Sequence, residues 1–262
     1  MITVMMPVMF TEPAWQVPMT RYSLECLTVE PGEDFNVVVV ETGSDFFMPG
    51  DNFDPWSIGI NVLDYKYINM EGKTQWTTDA NEGLKACDRE FIVHTGNDIF
   101  VRPGWARELL RPFEDYDDCG VSCLASSDLP RPLCDLGDFT VEGIYGPFMM
   151  FRRETHNRDF PWQNARNGEL DSTGSFIEFD EEFPDIFSDT DLILAHYAAG
   201  LRSYRNHRSR VSHLNKATYD TMHSQEEQKE RSMKYGQQMA DKHFKACGHL
   251  RMYHHLLEGH VV

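Results

Sequence analysis

The first 125 residues alternate between short apolar runs and segments in which apolar positions recur every three to four residues. Short apolar runs predict buried strands, and the longer spacing predicts amphipathic helices. Strands are predicted at residues 2–10, 35–41, 58–69, 90–94 and 121–125. The helical segments between them cover residues 11–29, 77–87 and 105–113. Strands that alternate with helices indicate an α/β fold, with a mostly parallel central sheet flanked by helices.

In the first predicted helix, the apolar residues at roughly helical spacing are Trp15, Met19, Tyr22, Leu24 and Cys26. Beyond residue 140 the pattern predicts a strand at 141–151, a helix at 189–200 that ends at a glycine, and a strand at 203–214. A long amphipathic helix at 218–247 precedes a His-rich tail. We therefore expect one domain over residues 1–215 and a helical, basic and His-rich extension over residues 216–262.

In sheets of this type, ligands bind beyond the carboxyl ends of the strands. Glu41 follows the second predicted strand, Asn97 and Asp98 follow the fourth, and an acidic stretch opens the helix at residue 189. A cleft lined with carboxylates would repel a diphosphate unless a divalent cation, magnesium or manganese, bridges them. Asp98 is the best candidate ligand, although an Asx turn after a strand would explain Asn97 and Asp98 equally well.

Charge is distributed unevenly along the 262 residues, whose formal net charge is -18. Residues 201–262 carry 11 basic against 6 acidic side chains and 8 of the 11 histidines. The overall charge weakens the case for a nucleic-acid partner, which needs a basic surface, but the basic end leaves one open. The six scattered cysteines do not suggest a disulfide framework, and no apolar run is long enough to span a membrane. We expect a cytoplasmic protein.

Four segments resemble the inverting nucleotide-sugar glycosyltransferases of family 2, which have the GT-A fold, and especially the rhamnosyltransferase-like members. They occur in the family's order and extend over about the first 215 residues; in sequence they read ITVMMPV, NVVVVETGS, FIVHTGNDIFVRPGW and FDEEFPDIFSDTDLILAHYAAG. The resemblance implies a transferase that binds a nucleoside-diphosphate sugar and a divalent cation, Mn2+ or Mg2+.

On the donor side, the resemblance implies that Pro7, Glu41, Ser44 and Asn97 lie at the nucleotide. Glu41 stands where the family usually has Asp, and Asn97 replaces the first acid of the usual metal-binding pair.

Asp98 would bind the metal, and His213 matches a histidine that can complete the metal site.

On the acceptor side, Asp189 aligns with the general base, and Asp191 is the reserve candidate. Ser188 replaces the Glu that usually precedes the base. A carboxylate is needed there because inverting transfer removes the acceptor proton from the face opposite the leaving group. Arg208 and Arg210 lie on one face of the predicted strand and could stabilise the leaving diphosphate. A solvated edge strand guarded by charges explains them at least as well.

The leading hypothesis is a metal-dependent inverting glycosyltransferase whose acceptor is a saccharide or a hydroxylated base in DNA. A nucleotidyltransferase would need a basic, Gly-rich loop after the first strand, and the sequence MFTEPAW offers none. A non-catalytic sugar- or partner-binding module on a degenerate scaffold is the other alternative. Ser188 and Asn97 favour that module, whereas Asp98 and Asp189 argue against it.

Overall fold

The structure is a computed structural model, and it describes eleven stretches of the chain. They are residues 2–42, 65–70, 75–126, 134–135, 139–142, 148–155, 175–176, 178–184, 188–198, 201–214 and 224–247.

Twelve strands are present in the described part of the chain. They are β1 Ile2–Val8, β2 Phe35–Thr42, β3 Tyr65–Met70, β4 Phe91–Thr95, β5 Ile99–Val101, β6 Cys119–Ala125, β7 Cys134–Asp135, β8 Phe139–Glu142, β9 Phe148–Arg152, β10 Glu154–Thr155, β11 Ser175–Phe176 and β12 Arg202–His213. The helices described are α1 Pro13–Thr28, α2 Trp76–Ala86, α3 Trp105–Asp115, α4 Ser188–Ala198 and α5 Gln225–Cys247.

The main sheet has the strand order β3-β2-β1-β4-β9-β6-β12-β8-β7. The first four of these strands are parallel, and β12 is parallel to β6. In the described part of the sheet, β5, β8 and β9 run against the other strands, because each pairs antiparallel with the strands beside it. The expected α/β architecture with a mostly parallel sheet is therefore confirmed. Because they run in the same direction, the following strands all end at the same edge of the sheet: β1, β2, β3, β4, β6 and β12.

Helices cover both faces of this sheet, as alternation along the strands requires. In β1, Val4 and Met6 pack into the core beneath α1 and α3, whereas Met5 packs into the core beneath α2 and α4. Trp105 of α3 is completely buried, and its indole N–H donates to the carbonyl of Leu27 in α1 at 2.8 Å. Burial on both faces explains why the strands appear in the sequence as continuous apolar runs.

The buried face of α1 differs from the apolar pattern read from the sequence. Tyr22 is 56% exposed, while Gln16, Thr20 and Ser23 are at most 1% exposed. These three polar side chains are spaced three or four residues apart, so they share one face of the helix. The physical reason for their burial is that each bonds to a loop or turn at the end of a strand.

Two predicted strands have different bounds in the structure. The structure describes only the end of the predicted strand at 58–69, where β3 covers Tyr65–Met70. The predicted strand at 141–151 was wrong as a single element, because its two ends pair with different neighbours. β8 pairs with β12, while β9 lies between β4 and β6. In the described part of the chain, no helix is both long and apolar enough to cross a membrane.

Replacement of Gly83 by Ala tests the contact between α2 and the sheet. A Cβ at Gly83 would lie 2.6 Å from Cγ2 of Val40 and 3.0 Å from Cγ of Met5, both in the buried core. Overpacking of this kind costs about 1–3 kcal/mol, which exceeds the gain of about 0.5–1 kcal/mol from a better helix former. We expect G83A to lower the free energy of unfolding by about 1–2 kcal/mol in urea titrations. The exposed control K85A on the same helix should change it by less than about 0.5 kcal/mol, and a stabilised G83A would contradict this packing.

Candidate functional site

Asp98 and His213 meet at the carboxyl edge of the sheet. The turn Gly96-Asn97-Asp98 follows β4, and β5 then pairs antiparallel with the end of β12, so that Ile99 lies opposite His213. The backbone N–H of Leu214 donates to the carbonyl of Asp98 at 3.2 Å. This pairing brings Nε2 of His213 to 3.5 Å from Oδ2 of Asp98. The two residues therefore form one polar site, although 115 positions separate them along the chain.

Gly96 leaves space for the Asp98 carboxylate. A Cβ at position 96 would lie 2.7 Å from Oδ1 of Asp98, closer than real Cβ contacts allow. The carboxylate thus folds back over the turn into the volume that a side chain would otherwise fill. Glycine at this position lets Asp98 keep this orientation.

The chemistry of this pair fits a divalent cation. Both side chains are nearly buried, with 12% of Asp98 and 11% of His213 exposed. Two neighbouring ligands of an octahedral ion with bonds of about 2.1 Å lie about 3 Å apart, close to the observed separation. Among the described residues, no group of three or more His, Cys, Asp or Glu side chains is placed to hold a metal. Asp98 and His213 would be two of the ligands of such an ion, and water or phosphate oxygens can occupy other positions around it.

The donor-side residues expected from the sequence have internal partners. Glu41 is only 2% exposed and accepts a hydrogen bond from the hydroxyl of Tyr67 on β3. Pro7 is buried within β1, next to Val40 of β2. Ser44 lies outside the described residues. The nucleotide contacts implied for these residues therefore stay predictions.

Asn97 is turned towards α1. Its side-chain amide donates to Oγ1 of Thr20 at 3.0 Å, and Asn97 is 6% exposed. Ser23 donates to the carbonyl of Ile99 at 2.6 Å, so two α1 side chains hold the turn that carries Asp98. Neither Thr20 nor Ser23 was predicted from the sequence, because the pattern of apolar residues on this helix does not include them. The available signal was a run of small polar residues at helical spacing next to the apolar ones.

Gln16 fixes the loop between β1 and α1 in the same way. Its side-chain oxygen accepts the backbone N–H groups of Thr11 and Glu12, both at 2.8 Å. Its amide donates to Oγ1 of Thr11 at 3.2 Å. The loop is therefore held by one buried glutamine and has no glycine-rich turn.

Asp189 and Asp191 differ sharply in their surroundings, although both lie in the first turn of α4. Asp189 is partly exposed, and its carboxylate accepts the backbone N–H of Thr190 at 2.8 Å. The side chain of Asp191 is only 1% exposed, and both of its oxygens accept from Nζ of Lys242, at 2.6 and 2.8 Å. Of the two candidate bases, Asp189 is the one that is exposed to solvent in part.

Arg208 and Arg210 lie on the exposed face of β12, as strand alternation predicts. Ser209 and Val211 between and beside them are buried, and the strand is irregular between Asn206 and Arg210. The face that carries the two arginines adjoins the end of the strand where His213 lies. Their contact with a diphosphate stays a prediction.

His94, on β4, is a buried imidazole close to this edge. Its ring packs between Trp76 and Phe179, with centroid distances of 5.2 and 5.1 Å. Within the described part of the chain, neither ring nitrogen has a hydrogen-bond partner. Burial lowers the pKa of His94 from 6.5 to about 3, so the ring is neutral at physiological pH. The same cause lowers the pKa of His196, on α4, to about 4.

No protein-family model and no curated protein sequence matches this chain. Solved structures do. Staphylococcus aureus TarS superposes with a TM-score of 0.54 at 13% identity, over 93% of this chain and 43% of TarS. A mannosyltransferase, PcManGT from Pyrobaculum calidifontis in complex with GDP-Man and Mn2+, superposes with a TM-score of 0.55 at 15% identity, over 84% of this chain and 59% of the other.

A TarS fragment in complex with UDP-GlcNAc gives a TM-score of 0.54 at 14% identity, over 80% of this chain and 58% of the fragment. This chain therefore corresponds to about half the length of the structures it matches. At these identities the likeness concerns the fold, which is that of the GT-A-type glycosyltransferases.

Replacement of His94 by Phe tests the buried neutral imidazole through the pH dependence of stability. The unfolded chain takes up a proton at His94 near pH 6.5, whereas the folded chain does so only near pH 3. Stability is therefore lost as the pH falls below about 6.5, by about 2 kcal/mol between pH 7 and pH 5 for this group. We expect urea titrations of H94F to show a pH dependence smaller by about that amount. An unchanged dependence would show that His94 is protonated in the folded protein.

Proposed function

We propose that this protein is a metal-dependent, inverting glycosyltransferase that moves a sugar from a nucleoside-diphosphate sugar to an acceptor hydroxyl. The observation that carries the proposal is the pairing of Asp98 with His213 at the carboxyl edge of a GT-A-type sheet. Residues 1–215 would form the transferase unit, and residues 216–262 would form a helical extension to it. The structures with UDP-GlcNAc and with GDP-Man and Mn2+ support a nucleotide-sugar donor.

On the donor side, Asp98 and His213 would hold a divalent cation, which stabilises the negative charge that develops on the leaving diphosphate. Asn97 and Ser23 support this site indirectly, because their hydrogen bonds keep the turn and the start of β5 against α1. Arg208 and Arg210 are the cationic side chains proposed to meet the leaving group. Their exposure on the same face of β12 supports a contact of both with one ligand.

On the acceptor side, Asp189 is proposed as the general base. Its carboxylate would accept the proton of the acceptor hydroxyl while the oxygen attacks the anomeric carbon from the side opposite the diphosphate. The new glycosidic bond and the broken bond to the diphosphate then lie on opposite faces of the sugar, so the anomeric configuration inverts. Partial exposure of Asp189 supports this choice over Asp191, whose oxygens are both bound by Lys242.

The acceptor is proposed to be a saccharide, with a hydroxylated base in DNA as the alternative. The net charge of -18 favours the saccharide, since binding to the phosphate backbone of DNA requires a basic surface. The exposed arginines of β12 are the feature that favours a polyanionic acceptor.

A donor screen by release of nucleoside diphosphate tests the proposal. The probes are UDP-GlcNAc, GDP-mannose and other nucleotide sugars, each with and without Mn2+. Turnover with at least one donor, dependent on the metal, is the expected result, and the product's anomeric configuration by NMR tests inversion. Binding of nucleoside diphosphate and Mn2+ without any turnover would instead favour the non-catalytic module. No thermal stabilisation by any nucleoside diphosphate with metal would rule out the donor site.

Two substitutions separate metal binding from proton transfer. D98N should abolish the Mn2+-dependent part of the thermal stabilisation by nucleoside diphosphate, because it replaces the charged metal ligand. D189N should keep that stabilisation but lower the transfer rate by about 100-fold or more, because it removes the base.

The matched control is D117N, an exposed carboxylate just before β6 at the opposite edge of the sheet, which should leave both readouts unchanged. Transfer by D189N at the wild-type rate would move the general base to another residue.

A further inference from the structure

Lys242 of α5 binds two buried carboxylates that belong to different segments of the chain. Its Nζ lies 2.7 Å from Oδ2 of Asp180 and 2.6 and 2.8 Å from the two oxygens of Asp191. The side chains of both aspartates are 1% exposed, whereas Lys242 is 25% exposed. An ammonium group has three N–H donors, so these contacts can use all of them. Lys242 therefore joins the C-terminal helix to the first turn of α4.

Asp180 belongs to a segment, residues 178–184, that is itself fixed to α2. Asn81 on α2 donates to the carbonyl of Phe179 at 3.0 Å and accepts its N–H at 2.7 Å. Oδ1 of Asp180 accepts the backbone N–H of Glu182 at 3.0 Å, which closes a turn. One oxygen of Asp180 thus shapes this segment while the other is held by Lys242. The ammonium group links α2, through this segment, with α4 and α5.

The two carboxylates need a cation at this position. Two buried negative charges without a partner would be strongly destabilising, and removal of one member of a buried ion pair typically costs about 3–5 kcal/mol. The ring of Phe183 lies 5.3 Å from Nζ of Lys242 and adds a favourable face for the ammonium group. Docking of α5 therefore stabilises this position of the first turn of α4.

Asp189 lies two residues before Asp191 in the same turn. The choice of carboxylate that Lys242 binds therefore indicates whether the lysine blocks the site or supports it. A lysine that blocked the site would be expected to bind the accessible carboxylate. Lys242 instead holds Asp191, which points into the protein, and Asp189 stays partly exposed. Lys242 is therefore placed to hold the turn that carries Asp189, and not to block the site.

We infer that Lys242 is a positioning residue of the candidate active site. It holds Asp180 and Asp191 together and thereby sets the orientation of Asp189 towards the acceptor. Helix α5 then contributes to the candidate active site. This inference rests on the proposed function, because it gives Lys242 a role only if Asp189 is the general base.

The test compares K242M and K242R with the wild-type full chain in a steady-state transfer assay, with the donor that shows the greatest turnover in the screen. Met keeps the length of the side chain without its charge, whereas Arg keeps the charge and can donate to both carboxylates. We expect K242M to lower kcat by about 10- to 100-fold, since small displacements of a reacting group have effects of this size. The KM for the donor should stay within about threefold because the metal pair is untouched, and K242R should recover part of kcat.

A double-variant comparison identifies the route through which Lys242 acts. If it acts through Asp191, then D191N combined with K242M should be about as slow as the slower single variant. This pair removes the charges of Lys242 and Asp191. If K242M alone is too unstable to purify, the double variant is compared with D191N alone, whose rate it should match. The matched control is K229M, an exposed lysine on the same helix, which should transfer at the wild-type rate.

The outcomes separate this inference from the proposed function. Wild-type or faster transfer by K242M would overturn the inference and leave the proposed function standing. Multiplicative effects of K242M and D191N would also overturn it, because Lys242 would then act separately from Asp191. A wild-type chain that binds nucleoside diphosphate and Mn2+ but turns over none of the donors would overturn both.

Discussion

The burial of the sheet on both faces is the constraint on which the rest of the structure depends. Helices on each face exclude water from the strands, so the polar loops can lie only at the two edges of the sheet. Strands β1 to β4, β6 and β12 run in the same direction, and their carboxyl ends share one edge. Asp98 and His213 meet there because β5 folds back against the end of β12. The position of the candidate site therefore follows directly from how the sheet is covered.

Buried polar side chains then give this edge its shape. Gln16, Thr20 and Ser23 of α1 bond to the loop after β1 and to the turn that carries Asp98. On the other face of the sheet, Lys242 donates to Asp180 and Asp191 and so fixes the segments that carry them. Each buried polar group that loses its partner costs free energy, so these contacts specify one arrangement of the turns. Helices that cover the sheet thus also position the candidate site.

The acidic side chains of this protein differ in their surroundings. Asp191 and Asp180 are both paired inside the protein with Lys242, and Glu41 is hydrogen-bonded by Tyr67. Asp98 lies against His213, and Asp189 is exposed to solvent in part. The proposed function assigns one of these two carboxylates to a cation and the other to a proton. The net charge of -18 alone did not separate them.

The sequence by itself determined the α/β class, the positions of most strands and helices, and the polar residues that follow β2 and β4. These features depend on the spacing of apolar residues, which is local. Tertiary structure decided the rest: the split of residues 141–151 into β8 and β9, the exposure of Tyr22, and the contact of Lys242 with Asp191. Partners 51 residues apart share no periodic signal, and a buried polar side chain looks like a surface one until its partner is known.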